Sequence, residues 1–152
     1  MDLKKINEFS AAKIYIRSLK LNFSDKDFEF PPQYDNIDIV YKPLNFKFQI
    51  TSVDGGPNKL LRHGQYEYQI KVDKLIEEYV LFPINKKYDA YKGGGVDDII
   101  LLIHVLRKPF RDNLFDLEID KNIGIIKECA LRSKFKSIYL VFDFKNEVIR
   151  IW

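Results

Sequence analysis

The sequence predicts a three-layer α/β protein in which helices flank a central mixed β-sheet. Residues 46–53 alternate between apolar and polar side chains, as a strand with one buried face does. Residues 99–103 read Ile-Ile-Leu-Leu-Ile without alternation, which is typical of a central strand covered on both faces. Elsewhere, apolar side chains recur three and four residues apart and predict the helices that cover the sheet.

The first part of the chain predicts a helix followed by a hairpin. Residues 3–20 carry apolar side chains at helical spacing, and Asp2 is placed to cap the helix. Residues 37–41 predict a short strand, and residues 46–53 predict its partner after a turn. The stretch Asp-Gly-Gly-Pro-Asn at residues 54–58 predicts a loop.

The second part of the chain predicts two helices and three strands. Helical spacing runs from Tyr68 to Tyr91, and Pro83 should kink or end the helix that begins at Tyr68 near Phe82. The remaining elements follow in the order strand, helix, strand, strand, over residues 96–105, 119–130, 138–144 and 148–152. Because no linker divides the chain, we expect residues 1–152 to form a single domain.

Composition excludes several classes of protein. The single cysteine, Cys129, excludes an internal disulfide and a cysteine-rich zinc site. The basic N-terminus lacks the apolar core of a signal peptide, and the longest apolar run is too short to span a bilayer. We therefore expect a soluble protein of a reducing compartment, the cytoplasm, without a membrane partner.

Known catalytic motifs are missing from the sequence. There is no Walker-type loop and no GxGxxG, and no serine or cysteine has a histidine partner that its sequence context identifies. His104 ends the apolar strand and Cys129 lies on an apolar helix stripe, so both are predicted to be buried structural residues.

The net charge of +3 comes from the C-terminal part of the chain. Arg132, Lys134 and Lys136 cluster where the last helix meets the next strand. One interpretation is contact with the phosphates of a nucleic acid. The other is a solvated helix surface.

Asp38 interrupts an otherwise apolar strand, and a buried carboxylate is unfavourable unless it is paired, hydrogen-bonded or bound to a metal. On the next strand Lys47, Gln49 and Thr51 share one face. If the two strands pair antiparallel, Asp38 approaches this polar row, whose oxygen atoms are ligands of the kind that Mg²⁺ accepts. An exposed sheet face with polar alternation explains the same pattern.

The element order, with Asp38 on the first strand and a polar triplet on the second, resembles the PD-(D/E)xK nuclease-like superfamily. In a common variant of that pattern the second strand reads roughly Glu-Val-Thr, and a lysine comes from the following helix in a stretch ending Lys-Tyr. Here residues 48–51 read Phe-Gln-Ile-Thr and residues 84–88 read Ile-Asn-Lys-Lys-Tyr. The resemblance covers most of the chain from Ile6 to Trp152 and implies a restriction-endonuclease-like fold.

The resemblance implies a nuclease that uses Mg²⁺ or Mn²⁺ to hydrolyse phosphodiester bonds in DNA, or in RNA. Asp38 matches the metal-binding aspartate. Gln49 stands where the second acid should be, and Thr51 stands where the lysine should be. Lys87, with Lys86 in second place, matches the migrated lysine.

Glu8 on the first helix matches a position from which some members add a carboxylate. The implied metal ligands are therefore Asp38, Gln49 and Glu8, and the implied catalytic residues are Asp38, Gln49, Thr51 and Lys87. The chain departs from the pattern because no proline immediately precedes Asp38 and because the second acid is an amide. Reading Lys47 to Gln49 as the triplet is worse, since it puts a cation where a metal ligand belongs.

Three hypotheses remain open at this point. The chain is an active nuclease, or an inactive nuclease-fold module that binds nucleic acid or a protein, or an unrelated α/β domain with a polar hairpin. The amide at Gln49 favours the second hypothesis, and Glu8, Asp38 and Lys87 together favour the first.

Overall fold

The computed structural model of the chain describes residues 2–32, 36–53, 75–91, 94–106, 114–143 and 146–152. Four α-helices lie within these ranges: α1 (Leu3–Ser18), α2 (Phe82–Tyr91), α3 (Leu114–Lys121) and α4 (Ile123–Ser133). Six strands accompany them: β1 (Phe28–Glu29), β2 (Ile39–Tyr41), β3 (Phe46–Val53), β4 (Ile99–Val105), β5 (Ser137–Phe142) and β6 (Glu147–Arg150). The loop predicted at residues 54–58, the helix start predicted at Tyr68 and the strand end predicted at Phe144 lie outside the described residues.

The six strands form one mixed sheet in the order β1-β2-β3-β4-β5-β6. Strands β3, β4 and β5 are parallel, and the other neighbours pair antiparallel. Helix α1 packs on one face of the sheet, while α2 and α4 pack on the other. The predicted α/β architecture with a central mixed sheet between helical layers is therefore confirmed.

The pattern within β3 separates the two cores. Phe48 and Ile50 are buried against α1, together with Ile39 and Tyr41 of β2. Gln49 is the next side chain of β3 and points to the opposite face, since neighbouring residues of a strand alternate. The predicted alternation is thus present, and it places a buried polar side chain beside the core under α2.

The burial of β4 agrees with its apolar sequence, because all seven of its residues are buried. His104 and Cys129 are also buried, as predicted, and His104 Nε2 lies 3.2 Å from Oδ1 of Asp143. The predicted helix over residues 119–130 is two helices, α3 and α4, which meet at Asn122.

Pro83 does not end its helix. Residues Glu77–Leu81 form a π-helical turn directly before α2, and the backbone N–H of Phe82 donates to the carbonyl of Glu77. The wider turn fits a residue whose ring crowds the preceding turn and which has no N–H to donate. The helix therefore continues to Tyr91.

Two prolines, Pro31 and Pro32, explain the shortness of β1. Strand β1 was not predicted, and it pairs only with Val40 and Tyr41 of β2. Because proline donates no backbone hydrogen bond, the pairing stops before it reaches the start of β2. No helix of the described residues is both long and apolar enough to cross a membrane.

Candidate active site

Asp38 lies immediately before β2 and is held by β3. Its backbone N–H donates to the carbonyl of Phe48, and its Oδ2 accepts a hydrogen bond from the N–H of Ile50, both at 2.8 Å. One residue before the Ile39–Phe48 pair, the same antiparallel register sets Asp38 opposite Gln49. Burial raises the pKa of Asp38, and the Ile50 bond and two lysines oppose that rise.

Gln49 is buried, and its amide is oriented by two hydrogen bonds. Its Nε2 donates to the carbonyl of Asn36 at 2.9 Å and to the hydroxyl of Tyr91 at 3.1 Å. The side chain of Asn36 in turn donates to the carbonyl of Gly95 at 2.8 Å. These bonds use both donors of the amide and leave its carbonyl oxygen as the atom available to a ligand.

Glu8 reaches the same neighbourhood from α1. Its side chain is buried, and Nζ of Lys4 lies 3.9 Å from its Oε1. Burial raises the pKa of Glu8 from 4.5 to about 7, and the negative charge of Asp38 adds to the rise. Lys4 and Lys87 act in the opposite direction. The carboxyl of Glu8 therefore faces another carboxylate with only partial compensation.

Lys87 approaches from α2, on the other side of the sheet. Its side chain is half-buried, and burial lowers its pKa, while Asp38 and Glu8 favour its charged form. Tyr91 lies one helical turn beyond Lys87, so the two side chains share one face of α2. Burial raises the pKa of Tyr91, and the charge of Asp38 adds to that rise.

The short β1 explains how helices from both faces reach one carboxylate. Strand β1 ends at Glu29, so within the described ranges no strand pairs with Asp38 on the side away from β3. An open cleft of about 250 Å³ occupies this end of the sheet, and it is bordered by both Glu8 and Asp38. Glu8 and Asp38 thus border the cleft, while Gln49 lies opposite Asp38 in the strand pair and Lys87 interacts with Asp38 electrostatically.

Thr51 stands apart from this cluster. It is buried on the same face as Gln49, two residues further along β3, and it lies opposite Ile103 of β4. Lys47, from the same polar row, pairs instead with Asp98, with Nζ 2.8 Å from Oδ2. Of the polar side chains of β3, only Gln49 is brought to Asp38.

The three basic residues that were predicted to bind nucleic acid are all exposed, but they differ in their contacts. Arg132 of α4 donates to the side chain of Asn85 and lies over the ring of Tyr88, 5.1 Å from its centre. Lys134 forms the left-handed cap of α4, and the backbone of Lys136 pairs with Ile99 at the start of β4. Arg132 therefore joins α4 to α2, whereas the side chains of the two lysines face solvent.

Sequence reasoning missed two residues of the cluster. Tyr91 served only as an apolar position of the second helix, yet its hydroxyl binds Gln49. Lys4 acts on Glu8, Asp38 and Lys87, although it is one of several lysines near the N-terminus. The spacing of four residues between Lys4 and Glu8, and between Lys87 and Tyr91, is the signal that links each missed residue to a predicted one.

The donors at this site fit a hard divalent cation such as Mg²⁺ or Mn²⁺. Two carboxyl groups and an amide oxygen are ligands that these ions accept, with water completing the shell. Burial, with a smaller contribution from the charge of Asp38, disfavours the charged form of Glu8, and a bound cation would favour it. No group of three or more His, Cys, Asp or Glu side chains forms a metal site within the described ranges, so the amide would be an essential third ligand.

Comparison of the chain with protein-family models, with curated proteins and with solved structures finds no significant match. The assignment of a function therefore rests on the residues of the cluster and their geometry.

Proposed function

We propose that the chain is a metal-dependent nuclease of the PD-(D/E)xK type with a restriction-endonuclease-like fold. Its substrate would be DNA, or RNA, and its reaction the hydrolysis of a phosphodiester bond. The observation that carries this proposal is that Glu8 of α1, Gln49 of β3 and Lys87 of α2 all neighbour Asp38, the residue before β2.

The order of elements supports the proposed fold. Helix α1 precedes the antiparallel pair β2 and β3, and α2 then leads to the buried strand β4, as the resemblance expects. The parallel strands β4 and β5 follow with α4 between them. An exposed polar hairpin does not require side chains from two helices to lie near Asp38, so their presence favours a functional site.

In the proposed site, Asp38, Glu8 and the amide oxygen of Gln49 would hold one Mg²⁺ or Mn²⁺. The bound ion would supply an activated water and charge stabilisation for the leaving oxygen. Asp38 is fixed in place by the Ile50 bond, and Gln49 is fixed by Asn36 and Tyr91. Both ligands are thus oriented before any ion arrives, which lowers the ordering cost of binding.

Lys87 would act on the phosphate rather than on the ion. Asp38 and Glu8 favour the charged form of its half-buried amine, and the ammonium would interact with the negative charge that develops on the phosphate oxygens. Because burial lowers its pKa, Lys87 exchanges a proton more readily than an exposed lysine and would also serve to orient the attacking water.

A second candidate function is a nuclease-fold module that binds nucleic acid or a protein without cleaving it. The uncharged Gln49 favours this candidate, because the site then has only two carboxyl groups to hold a metal. Its partner would be nucleic acid, as for the enzyme, or a protein.

Cleavage of labelled DNA and RNA by the wild-type chain, with Mg²⁺, with Mn²⁺ and with EDTA, tests the proposal. We expect cleavage that depends on the metal and is lost in Asp38→Ala. Metal binding measured by calorimetry separates the candidates further. If the wild-type chain does not bind metal and does not cleave any of these substrates, the enzyme is ruled out.

A further inference from the structure

The cleft beside the candidate active site has one apolar wall. Its volume of about 250 Å³ is just below the range of about 300–1,000 Å³ usual for small-molecule pockets. It therefore suits one base-sized group rather than a larger ligand. The cleft is lined by three carboxyl groups, those of Asp2, Glu8 and Asp38, by a basic rim, and by the apolar wall, which consists of Phe30, Pro31, Pro32 and Ile37.

Phe30 gives this wall a fixed aromatic ring. The ring is half-buried and packs edge to face with Phe9, with centroids 5.4 Å apart and an angle of 81° between the rings. Pro31 and Pro32 extend the surface without backbone N–H donors. Such a wall can stack on a flat ring but cannot read the hydrogen-bonding edge of a base, so it binds bases without sequence preference.

Lys4 and Lys5 form the basic rim of the cleft. Both come from the first turn and a half of α1, whose start is fixed by a 2.8 Å bond from the Lys5 N–H to Oδ1 of Asp2. The Lys4 side chain is 83% exposed and lies with Nζ 3.9 Å from Oε1 of Glu8, so it can contact a phosphate from its solvent side. A single nucleotide would contact the rim with its phosphate and the wall with its base.

We infer that the cleft binds one unpaired nucleotide, so that the substrate of the site is single-stranded nucleic acid or a single-stranded flank. The inference rests on the proposed function, since it places this nucleotide next to Asp38 and Glu8. In a duplex each base is paired and stacked within the helix, so only an unpaired base can lie against Phe30. The wall thus selects strandedness, while the lysines add phosphate contacts.

Fluorescence anisotropy with a labelled oligothymidylate and with a blunt-ended duplex, in EDTA, tests the inference without cleavage. We expect the single strand to bind at least about fivefold more tightly than the duplex, which is the effect of one stacked base. Phe30→Leu keeps apolar packing against Phe9 and should weaken single-strand binding by about fivefold. Lys5→Ala should remove one phosphate contact and so reduce the slope of log Kobs against log salt concentration, measured with the single strand, by about 0.7.

Lys127→Ala is the matched control, because Lys127 is exposed on α4 on the other face of the sheet. Removing its charge should leave the preference for the single strand unchanged. Circular dichroism and thermal melting confirm that each variant is folded. Equal binding of both probes, or folded Phe30→Leu and Lys5→Ala variants that bind like the wild type, would overturn the inference.

The inference and the proposed function fail separately. Metal-dependent cleavage without preference for single strands would support the nuclease and overturn the inference. Single-strand binding that depends on Phe30, without cleavage in any metal, would support the inferred ligand and overturn the enzyme.

Discussion

The backbone N–H of Ile50 donates to Oδ2 of Asp38 at 2.8 Å, across the register of β2 and β3. This bond fixes the carboxylate at the mouth of the cleft and lowers its pKa against the rise caused by burial. Asp38 therefore has a structural role as an acceptor and an electrostatic role as a charge. An amide at this position keeps the first role and removes the second.

Asp38→Asn should separate these roles. The asparagine oxygen can accept the hydrogen bond from the Ile50 N–H. We therefore expect the free energy of unfolding of Asp38→Asn to stay within about 0.5 kcal/mol of the wild-type value. Asp38→Ala should lower the free energy of unfolding by about 1 kcal/mol, because the Ile50 N–H is left without its acceptor. Both variants should lose metal binding and cleavage. Urea unfolding and calorimetry with Mg²⁺ check these expectations, and an Asp38→Asn variant that retains metal affinity would contradict the assigned charge.

Gln49→Glu should add a carboxylate on β3, where the resemblance expects an acid, and should lower the stability of the metal-free protein. The new oxygen would face the carbonyl of Asn36, which now accepts from Nε2 of Gln49. We expect the metal-free variant to be less stable by about 1–3 kcal/mol. Mg²⁺ should raise its melting temperature more than that of the wild type, since binding to the folded state is linked to stability. An equal Mg²⁺ effect on both proteins would exclude Gln49 as a ligand. Cleavage by this variant alone would favour the binding module for the wild type.

Glu8 should make stability depend on pH. Its pKa rises from 4.5 to about 7, so the folded chain holds a proton that the unfolded chain has released. The stability linked to this proton is fully present below pH 4.5 and is lost as the pH rises through about 7. In EDTA, Glu8→Gln should match the wild type near pH 4.5 and exceed its stability at pH 8, by on the order of 2 kcal/mol.

Urea unfolding at both pH values measures this difference. Glu29→Gln is the control, because Glu29 is exposed on β1 and should leave the pH dependence unchanged. A difference between Glu8→Gln and the wild type that is the same at both pH values would contradict the raised pKa.

Lys87 should matter for turnover more than for binding. Lys87→Met keeps the apolar stem but removes the ammonium, and we expect turnover to fall about 100-fold with little change in substrate affinity. The neighbouring Lys86 is exposed and provides the matched control, Lys86→Met, which should retain turnover within about twofold. Single-turnover cleavage and anisotropy measure the two quantities. A larger effect of Lys86→Met would reassign the migrated lysine.

The exposed lysines after α4 should bind phosphates of the nucleic acid. Neutralising Lys134 and Lys136 together should reduce the salt slope of binding by about 0.7 to 0.9 for each phosphate that the variant no longer neutralises. Arg132→Ala should instead lower the melting temperature, because Arg132 joins α4 to Asn85 and Tyr88 of α2. Unchanged affinity and salt slope in the double lysine variant would assign both residues to the solvated surface.

The local sequence determined the elements whose patterns are strong. The alternation over residues 46–53 predicted both the bounds of β3 and the opposite faces of Phe48 and Gln49. The unbroken apolar run predicted the buried centre of β4. The short hairpin predicted an antiparallel pair that brings Asp38 to the polar row of β3, and the observed register sets it opposite Gln49.

Only the tertiary structure decided what surrounds that pair. Periodicity shows that a helix has a buried face, but it does not show which face of the sheet the helix covers or which side chains then meet. Glu8 and Lys87 lie on opposite helical layers, and they share Asp38 because two prolines stop β1 short of it. The burial of Gln49 and its bond to Tyr91 follow from the same packing. These contacts join residues far apart in the chain, so their geometry is determined by how the layers pack rather than by any local pattern.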